Sequence, residues 1–333
     1  MPAVSVLIVF HRDTPFLRPA IASVLRQTFG ELELVLVDNG TGLTADALGE
    51  SGRDPRLRFV RLPRNHGIAA GHNAGVAAAT GEFIALLDYD DFALSHRLER
   101  QVAALRADPR VGLVSSLADA IDERDRVLHR EFALLDPREQ FRYSQYSAPF
   151  FTPACTGRRE LFVGLPYRES FEACADFDFI TRAAERGPIA AIPEVLLHYR
   201  HHAAQTTVQR GRRIAAERCA VRLLTARRRA GRDEGVDLLA PPRDASAGDT
   251  LRDFASRCLV EDFAVLAAYH ARRSFAEQRT PAALAVALRL FVQVWRRARA
   301  GERALVARMF FTGPVRTLGL RSVGKNTAGP AAD

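Results

Sequence analysis

The chain predicts an α/β fold on a mostly parallel, doubly wound sheet. Short apolar runs of buried-strand type alternate with segments of helical periodicity over the first 115 residues. Polar residues collect where those strands end, which is where open α/β sheets hold ligands. Beyond residue 205 the strand-like runs stop and helical ones continue, so an α-helical C-terminal extension is expected.

The first strand is Val4 to Phe10, apolar nearly throughout as a strand buried on both faces should be. Pro15 to Gln27 follows with helical spacing of Phe16, Leu17, Ile21, Val24 and Leu25. Leu32 to Val37 is the second strand, ending in Asp38-Asn39-Gly40-Thr41. Thr44 to Leu48 reads as helical, Leu57 to Leu62 as a third strand, and Ile68 to Ala79 as a helix of small residues. Phe83 to Leu87 is the fourth strand, Ser95 to Arg106 a helix with Ser95 as N-cap, and Val111 to Val114 the fifth strand. From 117 to 150 the pattern is irregular. Ala173 to Arg186 reads as a helix stopped by Gly187-Pro188, and Ile189–Ile192 and Val195–Tyr199 as two short strands. Helices are expected at 214–229, 251–273, 281–299 and 302–311, with a Pro-rich linker at 239–248 and a disordered tail at 326–333.

The 333 residues can bury a large core, and no apolar run reaches the roughly 18–20 residues that span a bilayer. No signal peptide is recognisable, and the four cysteines lack disulfide or zinc-ligand spacing, so a reduced cytoplasmic setting is expected. Charge is uneven. Residues 1–202 hold 23 Arg against 27 Asp and Glu, whereas residues 203–333 hold 24 Lys and Arg against 12 acids. The basic excess suits an anionic surface and equally suits solvated helix faces.

The most informative stretch is Phe83 to Asp91, an apolar strand running straight into Asp88, Asp90 and Asp91. Carboxylates this close repel one another unless a cation lies among them, and oxygen ligands suit Mg²⁺ or Mn²⁺. Such an ion would neutralise a diphosphate. The first strand carries no Gly-x-Gly-x-x-Gly turn and no Gly-x-x-x-x-Gly-Lys loop, which removes the main support for hydride transfer and P-loop hydrolysis. His11, Asp38-Asn39 and Asn65 to Asn73 stand at neighbouring strand ends, where an imidazole can stack on a base and an Asp or Asn oxygen can accept from a pyrimidine.

Taken together these segments resemble family 2 glycosyltransferases of the GT-A fold. The resemblance rests on Val4 to Arg12, Ser23-Val-Leu-Arg-Gln-Thr28, Glu33 to Thr41, Asn65-His-Gly-Ile-Ala-Ala-Gly-His-Asn-Ala-Gly75, Ala79 to Asp91, Ala175-Asp-Phe-Asp178 and Tyr199-Arg-His-His202. It covers roughly residues 1–205. It implies a nucleotide-sugar-binding half over 1–115, an acceptor-binding half over 116–205 carrying the catalytic base, and leaves the helical extension at 206–325 unassigned. It further implies inverting transfer of a sugar from a nucleotide diphosphate, UDP- or dTDP-linked, to a hydroxyl of a glycan or lipid-linked acceptor in surface polysaccharide assembly.

Carried over residue by residue, the resemblance makes Asp176 the base. His11 would stack on the nucleotide base beside Val9, Asp38 and Asn39 would contact base and ribose, and His72 would stand near the nucleotide. Asp90 would ligate a divalent cation, Mn²⁺ or Mg²⁺, with Asp88 toward the ribose or the ion and His202 completing the site. Three positions depart from the family pattern: Asn39 for Asp, His72 for Arg, and Ala175 for Glu. They motivate a rival reading as a transferase-like binding module. A nucleotidyltransferase is the other rival, although His11-Arg-Asp-Thr-Pro15 makes a poor phosphate loop. Nucleic acid is not an expected partner. Arg-edged apolar faces at 284–295 and 305–311 suit a peripheral contact with the inner face of the cytoplasmic membrane, and suit protein packing as well.

Overall fold

The structure, a computed structural model, describes residues 2–205, 211–232, 264–318 and 322–323, together with Leu251, Ala255 and Cys258. The expected linker at 239–248 and tail at 326–333 lie outside these, as does most of 251–263. The chain divides into two compact units. The described residues of Met1–Phe141, Ala148–Ala203 and Ser322–Lys325 form the first; those of Arg142–Ser147, Ala204–Arg321 and Asn326–Asp333 belong to the second.

In the first unit, β1 (Val4–Phe10), α1 (Leu17–Leu25), β2 (Leu32–Asn39), β3 (Leu57–Leu62), α2 (Ile68–Ala78) and β4 (Phe83–Leu86) follow the expected alternation. Next come β5 (Phe92–Ala93), α3 (Arg97–Ala107), β6 (Leu113–Ile121), β7 (Val127–Arg130), β8 (Ala133–Leu134) and α4 (Pro137–Tyr143), the last running across into the second unit. After them lie β9 (Thr156–Arg158), α5 (Arg159–Gly164), α6 (Ala175–Ala183) and β10 (Ile189–Arg200). The main sheet runs β3-β2-β1-β4-β9-β6-β10-β5, with β7 on β6. Pairs β1–β2, β2–β3, β1–β4 and β6–β10 are parallel.

β1 is buried along its whole length, and so is most of β2. Each such Val, Leu or Ile contributes roughly 1.5–3 kcal/mol by leaving water. Small residues let α2 press on this layer. A Cβ built on Gly71 would lie 2.4 Å from Val9 Cγ1, so the helix could not approach as closely with any other residue there.

Several details differ from expectation for identifiable reasons. The parallel run is interrupted, because β9 inserts antiparallel between β4 and β6; three residues carry no periodicity to read. The fifth strand begins at Leu113 and extends to Ile121. The two strands expected at 189–199 are one, with register shifts between Ile192 and Leu197 around Pro193. Thr44 to Leu48 yields only a 3-10 turn, Ala45–Leu48. Ser95 does not cap α3. His96 holds that position, and the Ser95 carbonyl accepts from Thr28 N (2.8 Å) instead.

The second unit contains α7 (Gly211–Arg229), α8 (Ala264–Gln278), α9 (Pro281–Arg297) and α10 (Arg303–Leu318). Thr280 caps α9, accepting from Ala283 N at 3.1 Å, with Pro281 in the first turn. Inside this unit Arg222 is buried, donating to the Tyr146 carbonyl and lying over the Tyr269 ring at 4.9 Å. Ala283, Ala287, Leu290 and Val294 face inward from α9, while Leu284, Leu288, Val292 and Trp295 stay 37–44% exposed. Among the described residues no helix is long and apolar enough to cross a membrane.

Candidate active site

β1, β2 and β4 run parallel, so their carboxyl ends deliver His11, Asp38-Asn39 and Asp88–Asp91 to the same edge of the sheet. At the end of β2, Asp38 is fully buried and its carboxylate accepts from Thr41 N (2.7 Å), Thr41 Oγ1 (2.7 Å) and Gly42 N (3.0 Å). Asn39, also buried, donates to the Gly67 carbonyl (2.9 Å) and accepts from His66 N (3.0 Å). Gly40, which follows them, has φ +88°, and a Cβ there would meet the Arg64 backbone carbon at 2.2 Å. Both polar side chains thus spend their hydrogen bonds fastening the turn. Both side chains are almost closed to solvent.

His11 is partly buried, accepts from Arg12 Nε at 2.9 Å, and meets the Tyr89 ring edge-on at 5.7 Å. Val9 lies beneath α2. His72 stacks on Tyr167 at 4.8 Å with its Nδ1 3.0 Å from the Ile68 carbonyl. Desolvation lowers its pKa to about 4, so at neutral pH it presents no charge. Asn73, one position on, pairs both ways with the Tyr167 backbone (2.9 Å each) and ties α2 to the segment before α6.

The acidic turn after β4 is held differently. Burial pushes Asp88 up to about 8, the charges of Asp90 and Asp176 add to this, and Arg97 opposes it. Asp91 is raised as well, by burial and by its two acidic neighbours. Asp91 accepts from Arg200 N at 2.9 Å through one oxygen, while the other, Oδ2, is buried without a hydrogen-bond partner. Asp90 Oδ2 lies 2.9 Å from His202 Nε2. The His202 ring packs against Phe16 at 5.1 Å.

Asp176 sits in the first turn of α6, exposed, accepting from Phe177 N (2.7 Å) and Thr152 Oγ1 (3.4 Å). The positive end of the helix favours its ionised form. Its field reaches Asp88, so the structure brings Asp88, Asp90, Asp176 and His202 into one electrostatic neighbourhood.

Sequence reasoning missed the two cations that make this cluster tolerable. Arg97 is buried, donating to the carbonyls of Leu86 (2.7 Å) and Cys155 (3.1 Å), with its pKa lowered to about 10, still charged at neutral pH. Arg200, also buried, donates its backbone N–H to Asp91, Nε to the Asp90 carbonyl (3.0 Å) and Nη1 to the Asp122 carbonyl (3.0 Å). Arg200 lay within a quoted motif, but nothing local marks an arginine as partner to a turn 110 positions earlier.

The donor set fits a divalent cation. An oxygen of Asp90 lies beside an imidazole with Asp88 two residues before it, the Asp88 and Asp91 carboxyls are pushed toward protonation by burial and then by like charge, and one buried Asp91 oxygen lacks a hydrogen-bond partner. The 2.9 Å between Asp90 Oδ2 and His202 Nε2 is also about the spacing of adjacent ligands around an ion bonded at roughly 2.1 Å.

The model of the Glycosyl transferase family 2 matches residues 5–164. An uncharacterized glycosyltransferase of Methanocaldococcus jannaschii, MJ1057, is 30% identical over 210 residues, 60% of this chain and 71% of the relative. Two solved structures share the fold. TarS 1-349 of S. aureus in complex with UDP-GlcNAc has TM-score 0.55 and 15% identity over 92% of this chain and 87% of that one. The mannosyltransferase PcManGT of Pyrobaculum calidifontis, in complex with GDP-Man and Mn²⁺, has TM-score 0.52 and 21% identity over 95% and 83%. With the sheet, the acidic strand end and the helix-borne carboxylate arranged as described, the chain belongs to glycosyl transferase family 2 and is a glycosyltransferase.

Proposed function

We propose that the protein is an inverting, metal-dependent transferase moving a hexosyl or deoxyhexosyl group from a nucleotide diphosphate to an acceptor hydroxyl. The observation that carries this is the shared field of Asp88, Asp90 and Asp176. Asp88, Asp90 and His202 would hold Mn²⁺ or Mg²⁺, which when bound supplies positive charge against the diphosphate leaving group. Asp176, exposed in the first turn of α6, takes the acceptor proton as that oxygen attacks the anomeric carbon. Thr152, donating to the same carboxylate, orients it. Arg97 and Arg200 keep the acidic turn in shape before substrate arrives.

In this reading His11 and Val9 line the donor pocket, and His72 walls it as a neutral ring. Asp38 and Asn39 act through the turn they fasten. Residues 1–115 then form the donor-binding half, 116–205 the acceptor half with the base, and 206–325 an extension. A UDP- or dTDP-sugar donor and a role in surface polysaccharide assembly rest on the family resemblance. PcManGT's GDP-Man makes guanine the competing base.

We assign the acceptor end of the reaction to a membrane surface on the cytoplasmic side. The exposed Leu284, Leu288, Val292 and Trp295 stripe on α9 supports this, with Arg289, Arg296 and Arg297 on the same helix. Transfer assayed with UDP-, dTDP- and GDP-sugars and Mn²⁺ tests the activity: Asp90→Ala and Asp176→Ala should each abolish it, and turnover surviving both would overturn the assignment. Anionic vesicles should pellet the wild type and lose Leu288→Asp/Trp295→Ser. Equal pelleting would remove α9 from the contact.

A further inference from the structure

We propose that His129, Glu131 and His201 form a second metal site, apart from the carboxylate centre, for a transition ion of the Zn²⁺ class. One ligand atom from each lies within 4.8 Å of the other two. His129 Nε2 is 3.3 Å and His201 Nε2 is 3.1 Å from the same carboxylate oxygen, Glu131 Oε1. Ligands bonded at 2.0–2.1 Å around a tetrahedral ion stand about 3.4 Å apart, so two of the three edges already have that length. Two imidazoles and one carboxylate select Zn²⁺-like ions over Mg²⁺ or Mn²⁺, which prefer oxygen.

The sheet builds the cluster from segments far apart in sequence. On β6, Ala120 pairs with His129 of β7 on one side and with Tyr199 of β10 on the other. Glu131 is two residues past His129 and His201 two past Tyr199, so all three side chains emerge on one face. Arg130, between them on the opposite face, is taken by Asp119. Among the described residues, the ion-pair partners of the buried Glu131 are therefore these two imidazoles, with no arginine. His201 is 43% exposed, which gives an entering ion access and leaves a fourth position to water. The Tyr199 ring stands edge-on to His201 at 5.2 Å and steadies it.

This site has a structural consequence. His201 lies between Arg200, which fastens Asp90 and Asp91, and His202, which faces Asp90. An ion clipping His201 to β7 would fix the segment that carries both.

The test uses untagged, metal-stripped full-length protein titrated with Zn²⁺ against a chromophoric chelator, and with Co²⁺ followed by visible absorption. We expect one tight Zn²⁺ equivalent and an intense tetrahedral Co²⁺ band, both retained in Asp88→Asn/Asp90→Asn. His129→Ala, His201→Ala and the gentler Glu131→Gln should each weaken Zn²⁺ by at least the roughly 100-fold that even an outer partner can cost. Circular dichroism confirms that each variant is folded. Absence of the Zn²⁺ equivalent in wild type, or its loss in the Asp88/Asp90 variant with retention in the histidine variants, would overturn the proposal.

Discussion

Strands β2 and β4 both leave the sheet at the same edge and both enter acidic turns, yet the two turns treat their carboxylates in opposite ways. Asp38 is buried with three donors closing on it, two of them backbone amides. Asp91 is buried and Asp88 partly so, both against other acids, with desolvation and like charge raising both. One turn uses its carboxylate to define shape; the other crowds carboxylates together and leaves one oxygen of Asp91 without a hydrogen-bond partner. An unsatisfied group at a ligand-binding edge points to chemistry, and a satisfied one to architecture.

The largest expected effect is on turnover at the strained end. Asp176→Asn should lower transfer by on the order of 10²–10⁴, the range for a positioned base. Asp90→Asn should be comparably damaging while leaving the melting temperature unchanged or raised, since it removes one of several repelling charges. A clear fall in melting temperature for Asp90→Asn would break the comparison.

Next in size is stability at the satisfied end. Asp38→Ala removes acceptors from three donors and should cost about 2–4 kcal/mol in chemical denaturation. If it instead left stability intact and raised only the donor KM, Asp38 would be a direct ligand contact.

Third, Mn²⁺ at 100 times its dissociation constant should add about 2.7 kcal/mol to wild type. The gain should disappear in Asp90→Asn and persist in Asp38→Ala. Zn²⁺ is to be excluded from this measurement, because the His129–Glu131–His201 cluster would add its own shift.

The smallest effect is a pH slope. His72 has its pKa lowered from 6.5 to about 4 by burial, so the unfolded chain binds more protons than the native one between those values. Its contribution to stability is complete above about 6.5 and is lost as pH falls toward 4. His72→Gln should flatten the fall in melting temperature over that window; an unchanged slope would assign it to other groups, His270 among them, whose pKa burial also lowers.

Much of the first half was legible because its signals are local. β1, β2 and β4 declare themselves by apolar runs, and the Gly-Ala composition of α2 announces a close approach, seen at Gly71 on Val9. β9 was not legible, since its three residues become a strand only through partners on β4 and β6, 42 or more positions earlier in the chain. Asp88, Asp90 and Asp176 could be listed from motifs, but their common field could not. Asp38 shows the converse: a motif position marks a residue as important without distinguishing a ligand contact from a turn fastener. Arg97 reads as an ordinary helix arginine until its guanidinium is found buried on the carbonyls of Leu86 and Cys155.

Arg200 reaches back from the end of β10 to the backbone of Asp90 and the side chain of Asp91. The acidic loop is therefore no transplantable cassette. Moving Asp88 to Asp91 into a foreign sheet would carry the letters without the clamp that shapes them, and a recombinant chimera joined anywhere between residues 92 and 199 would inherit its acidic turn from one parent and its fastening from the other.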